Sequence, residues 1–211
     1  MALPCDPAQA GAWPREAGTG FALVSGRVAW PQNLQHWTSY APTEDYQTLY
    51  LEYGLTDSWT LGMDFGRSVS GEGKLVGFLQ YPLRNRDRGP KVTAQLGFGE
   101  ISGNSVLRPG LSVGWGLNRG WLSFDALAEM QATDDVIDYK LDATWGRNLP
   151  NDFKVIFQVQ TGLEQDDPPF VRLAPSVVTP LGERTKAEFG LTWGLTGDSS
   201  MGLMFGLWRD F

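Results

Sequence analysis

From Tyr46 to Phe211 the chain repeats one pattern: runs of about ten residues in which apolar and polar side chains alternate, separated by turns. Trp59, Leu61, Met63 and Phe65 alternate with Thr60, Gly62, Asp64 and Gly66, and the closing stretch sets Leu203, Phe205, Leu207 and Phe211 on one face. A period of two requires strands with two chemically different faces. A tilted strand crosses the bilayer core in about 9–11 residues, so repeats of this length predict a transmembrane β-barrel.

The alternation predicts strands over residues 20–30, 46–54, 59–68, 74–81, 91–99, 111–117, 122–130, 137–145, 153–159, 171–177, 187–195 and 201–211. The register of the first strand is ambiguous, because Phe21/Leu23 and Val24/Val28/Trp30 make both faces apolar, and the fourth is irregular. The fold class is therefore all-β, a closed antiparallel up-and-down barrel of about 12 strands, an even number that brings both chain ends to one side. Residues 18–211 form this single domain. Residues 1–17 are read as a signal remnant or a periplasmic tail. Ala8-Gln9-Ala10 fits a small-x-small cleavage site, whereas Pro4 before Cys5 departs from a lipidation box.

Composition closes off other classes. The net charge of -7 argues against a nucleic-acid partner. Arg84, Arg86 and Arg88 are an exception, but they sit between Pro82 and Pro90 and read as a solvated turn. A lone cysteine, Cys5, leaves no intramolecular disulfide, and a lone histidine, His36, leaves no multi-imidazole metal site; no cofactor is expected. No apolar run reaches 18 residues, which excludes a transmembrane helix and leaves a barrel open.

Two features favour lipid over a soluble sheet. The aromatics Tyr53, Trp59, Trp115, Trp145, Phe153 and Phe211 fall near one rim, and Trp30, Phe170 and Trp193 toward the other, as interfacial girdles do. The opposite parity is rich in glycine, including Gly62, Gly66, Gly146, Gly194 and Gly202. Glycine weakens a strand facing water, but it gives a closed barrel curvature and room.

If the apolar set faces lipid, the other parity faces the lumen. It carries Glu52, Asp64, Asp125, Glu129, Asp138, Asp142, Glu164, Glu188 and Asp210 against Lys140, Lys154, Arg172 and Lys186. This excess of acids predicts a mild cation preference if the lumen is open, or a charge-sealed plug if the groups pair. Around Thr133-Asp134-Asp135, pairing Gln131 with Val136 would set Glu129 opposite Asp138 and Asp125 opposite Asp142, with Lys140 diagonal to them. A slip of two residues would pair Glu129 with Lys140 directly.

The terminal strand Met201–Phe211 resembles the carboxy-terminal assembly signal of bacterial outer-membrane β-barrel proteins, and Glu52–Gly62 is similar to hairpins of small proteobacterial transporter and porin-like barrels. Arg209 departs from that terminal pattern, which places an apolar residue there. The resemblance implies the outer membrane of a Gram-negative bacterium, and contact with the barrel assembly machinery through the strand ending at Phe211. A channel or transporter for small polar solutes in the lipid bilayer is the expected function. The alternative is a non-conducting structural or interaction barrel sealed by its charges or by the segment before Gly18. A lipid-acting enzyme built on His36 and Ser39 is a weaker third reading, since a loop histidine is usually only solvated, and no enzyme activity is expected.

Overall fold

The computed structural model describes residues 11–68, 73–86, 88–133, 136–165 and 168–211. Cys5, the Ala8–Ala10 motif, the Gly71-Glu72 turn, Asp134, Asp135 and Asp166 lie outside the described residues. The described chain forms twelve strands: β1 Gly20–Pro31, β2 Glu44–Gly54, β3 Thr60–Arg67, β4 Gly73–Arg84, β5 Lys91–Ile101, β6 Asn104–Leu117, β7 Gly120–Gln131, β8 Ile137–Asn148, β9 Lys154–Leu163, β10 Phe170–Pro180, β11 Thr185–Thr196 and β12 Ser200–Asp210. Each pairs antiparallel with its sequence neighbours, and β1 pairs with β12 to close the barrel.

Closure runs to the last residue. Phe211 N–H donates to the Gly20 carbonyl at 3.0 Å and Gly20 N–H to the Phe211 carbonyl at 2.7 Å, extending the β1–β12 ladder by one pair. The Phe211 ring lies over Gly20, where a Cβ would come within 2.2 Å of it. Both chain ends of the barrel thus share one rim, here the terminal rim; the other is the far rim.

Outward positions between the rims are predominantly apolar, with charges such as Arg67, Glu100, Arg147 and Arg209 confined to strand ends. Leu61, Phe124, Leu141, Trp145, Phe157, Leu191 and Phe205 are all exposed, whereas Asp64, Asp125 and Asp142 alternate inward with them. An exterior of this kind is stable only against hydrocarbon, and the closed ladder leaves no strand edge there. Tyr53, Trp59, Phe153 and Phe211 point outward at the terminal rim, where Trp59 packs on Tyr81 with centroids 4.9 Å apart; Trp115 and Trp145 are outward nearby. At the far rim Trp30 and Trp193 point outward. Phe170 does not: it shares the inward parity of Arg172, whose guanidinium lies 5.4 Å above its ring.

Several inward glycines are covered by a facing aromatic ring. Gly62 stands directly across from Phe78, Gly146 from Trp121 and Gly162 from Phe170. A Cβ at Gly62 or Gly146 would come within 2.1 Å of the facing ring. Glycine here lets an aromatic lie flat across the neighbouring strand, which pins register.

The strand boundaries depart from the alternation in two informative places. Strand β6 begins at Asn104 rather than near Leu111, because Pro109 and Gly110 interrupt the sequence pattern without ending the strand. Strand β4 reads as irregular because its inward face carries the buried Val76 and Phe78 beside the outward Leu75 and Leu79.

Leu141→Arg, near the middle of β8 on the outward face, should cost about 2–4 kcal/mol in reversible urea unfolding in lipid vesicles, and Tyr53→Arg at the rim about 0–1 kcal/mol. Equal costs at the two positions would contradict the depth assigned to them.

Candidate functional site

The bore has two unlike halves. Near the terminal rim, inward residues of β1, β7, β9, β10 and β12 form a buried apolar cluster of Phe21, Trp121, Ile156, Val178 and Trp208, against which Trp13, Leu23 and Tyr50 pack. Phe21 and Trp208 meet edge to face with centroids 6.3 Å apart. None of the five is more than 8% exposed, so this level is packed rather than water-filled.

The segment before β1 contributes to that packing from inside. Ala12 is fully buried and its carbonyl accepts a hydrogen bond from Thr93 Oγ1 at 3.1 Å. Trp13 lies on Gly114, and Gly11 sits against Ser112 and Gln80 at mid-height. Arg15 Nε donates to Glu52 Oε2 at 2.7 Å, Arg15 N–H to Thr60 Oγ1 at 3.1 Å, and Gly18 N–H to the Gly54 carbonyl at 2.8 Å. Residues 11–18 thus run along the inner wall from mid-barrel to the terminal rim.

Toward the far rim the inward face is charged. Asp64 Oδ2 accepts from Arg108 Nη1 at 2.7 Å and meets Lys74 Nζ at 2.9 Å. Glu129 receives Lys140 Nζ at 2.7 Å and lies 3.8 Å from Arg108 Nη1. Asp64, Lys74, Arg108, Glu129 and Lys140 therefore form one chain of charges spanning β3 to β8. The β7–β8 ladder pairs Glu129 with Asp138 and Asp125 with Asp142, the first of the two registers compatible with the sequence. Lys140 reaches back to Glu129, while Asp138 accepts Gln165 N–H at 2.9 Å. Asp125 and Asp142 face each other with no ion pair among the described residues; Ser123 Oγ donates to Asp125 at 3.3 Å.

The remaining inward charges lie elsewhere in the bore. Glu188 is buried near the terminal rim and accepts from Ser176 Oγ at 2.5 Å and Trp208 Nε1 at 2.9 Å. Lys154, also buried, donates to Asn148 Oδ1 at 3.0 Å and lies 5.9 Å from the Trp121 ring. Lys186 stands opposite Trp208 in the β11–β12 ladder. Arg172 Nε donates to Asp198 Oδ2 at 2.6 Å at the far rim.

Sequence parity overlooked Arg15, Lys74 and Arg108, which neutralise Glu52, Asp64 and part of Glu129. Extending the period of two back from Ser112 through Gly110 reaches Arg108, so that signal was present but masked by Pro109. Arg15 carries no strand pattern and has no comparable signal. The acid excess of the lumen is correspondingly smaller than the parity count implied.

His36 lies in a single 3-10 turn, Leu34–His36, with Nε2 3.4 Å from Asn33 Nδ2. Ser39 Oγ accepts the Ala41 N–H. The two side chains are hydrogen-bonded to other partners.

By sequence the chain matches no family model and no curated protein. Its fold is similar to that of solved outer-membrane barrels. The KdgM porin superposes with a TM-score of 0.68 at 8% identity, covering 90% of this chain and 99% of that one. The COG4313 outer membrane channel from Pseudomonas putida F1 gives 0.60 at 11% identity over 98% and 99%. An outer membrane phospholipase A from Escherichia coli gives 0.54 at 12% identity over 97% and 93%. The likeness shows the fold, a closed β-barrel like those of outer-membrane porins.

Glu129→Gln should destabilise the barrel by about 1–3 kcal/mol in urea, because Lys140 loses its carboxylate while Arg108 keeps Asp64. Asp198, between β11 and β12, gives a pH test. Burial raises its carboxyl, but hydrogen bonds from Ser200, together with Arg172, outweigh that and hold it below the usual carboxylate range. Its contribution is present above the unfolded pKa of about 3.9 and is lost as pH falls through the lower folded value. Asp198→Asn should remove that share of the acid-induced drop in urea midpoint.

Proposed function

We propose that this barrel is a channel of the Gram-negative outer membrane for small polar solutes, found here in an occluded state. The observation that carries the reading is a closed barrel whose far-rim half is lined by charged and amide side chains while its exterior is apolar. Such a lumen replaces the hydration of a polar solute with side-chain hydrogen bonds. Similarity to the KdgM porin and the COG4313 channel supports it. We assign the mild cation preference to Asp125 and Asp142, two inward acids that face each other across the β7–β8 ladder with no ion pair among the described residues. In the same reading the terminal rim, where β1 begins and β12 ends, is periplasmic, and the strand ending at Phe211 is the one the assembly machinery engages.

A specific observation favours the non-conducting alternative: the apolar cluster and residues 11–18 together fill the terminal half of the bore. Single-channel recording in planar bilayers separates the two. The intact chain should give small steps, and a variant lacking residues 1–17 should give steps several-fold larger. Absence of steps from both would eliminate the channel. Asp125→Asn with Asp142→Asn should move the reversal potential in a salt gradient toward the anion side; an unmoved potential would remove the assigned cation preference.

A further inference from the structure

The outer wall of the barrel carries a deep furrow. On the exterior of β9 to β12, in the far-rim half, a groove of about 670 Å³ runs beneath Trp30, Trp37 and Tyr40. A second of about 400 Å³ continues it toward the terminal rim, and the two share Phe157, Pro175, Leu191 and Leu203. Together they follow the wall from Trp193 to Phe189, about 13 Å along the strand. Along strands tilted about 35–45° this spans roughly 10 Å of depth, about two-thirds of one leaflet of a hydrocarbon core about 30 Å thick.

The furrow has a local cause. Pro175 has no N–H, so the β10–β11 ladder passes from Leu173–Trp193 to Ser176–Gly190 without pairing Ala174 with Thr192 or Pro175 with Leu191. Where that bond is missing the wall opens enough for three inward-parity residues, Gln158, Thr192 and Gly202, to line an exterior groove.

Its far-rim end is held in place. Trp37 stacks on Trp30 with centroids 6.2 Å apart. Trp30 Nε1 donates to the Tyr40 carbonyl at 3.0 Å and Trp37 Nε1 to the Pro31 carbonyl at 2.8 Å. Both indole N–H groups are thus satisfied by the protein, which frees these rings to lie against hydrocarbon instead of seeking interfacial water.

We propose that this furrow is a binding site for one acyl chain of a membrane lipid, seated lengthwise over Pro175 and closed at the far rim by Trp37 and Tyr40. The occupant follows from the location: the groove opens only onto hydrocarbon, and its lining is almost wholly apolar. A linear chain fills an elongated groove that lies within one leaflet, and filling it recovers dispersion contacts that the lining would otherwise lack. The fixed aromatic cap distinguishes the seated chain from the lipids that exchange around the rest of the wall.

Native mass spectrometry of the full barrel released from detergent with added dipalmitoyl phosphatidylglycerol tests this. The wild type should retain one lipid at collision energies that strip all others, and dihexanoyl phosphatidylglycerol should not be retained. Val159→Trp, which fills the groove, should lower the retained fraction about tenfold, and Trp37→Ala several-fold, with heat-modifiable gel mobility reporting that each variant is folded. Should Val159→Trp fail to fold, Trp37→Ala carries the test. The proposal is overturned if the wild type retains no lipid, if the folded variants retain it as well as the wild type does, or if the short-chain lipid is held equally.

Discussion

In hydrocarbon a backbone N–H or C=O without a partner costs several kcal/mol, so the ladder must close on itself. Every other property of this molecule is subordinate to that requirement. The seam between β1 and β12 shows how fully it is met: pairing runs from Pro31–Ser200 to Phe21–Asp210, and then Gly20 and Phe211 exchange two further bonds. The terminal aromatic covers the glycine opposite it, so the final residue serves as seam, register marker and interfacial anchor at once.

The same solvent explains what could be read in advance. Lipid selects apolar side chains between the rims, so the outward parity of β3, β5, β7, β8 and β12 is clean in the sequence except at strand ends such as Arg67, Glu100, Arg147 and Arg209, and strand number and closure follow from it. The inward face obeys no such rule. It carries Asp64 and Glu129 toward the far rim, yet Phe21, Trp121 and Trp208 toward the terminal one. Where the inward residue is itself apolar, as in β1 and β4, the alternation vanishes, and those two strands had no certain register. Ion pairs such as Arg15–Glu52, 37 residues apart, depend on where the barrel brings distant strands, which a local period cannot encode. The run of residues 11–18 inside the bore has no periodic signal of any kind.

The interior charges are better understood as a network than as a sum. Glu129 is 3% exposed and Arg108 1%, and each ion would be costly without the other and without Asp64 and Lys140. Alternating signs along β3 to β8 stiffen that side of the bore, while Asp125 and Asp142 stand apart from it. A polar lining made of neutralised groups favours uncharged or weakly charged solutes over a strong field for either sign.

The two in-strand prolines of β6 and β10 show how much the interior matters to the wall. Each lies five residues from the far-rim end of its strand, and each removes two successive pairs from the following ladder. At Pro109 the unpaired residues are Arg108 with Glu129 and Pro109 with Ala128, and the inward pair is an ion pair that spans the gap from within. At Pro175 the inward residues are Ala174 and Thr192. Alanine has nothing to offer, and Thr192 Oγ1 is buried without a hydrogen-bond partner. One lesion is therefore bridged and the other is not. The β10–β11 ladder is left open at Pro175 for a reason that lies in two interior side chains, and the exterior furrow forms at that seam rather than at Pro109.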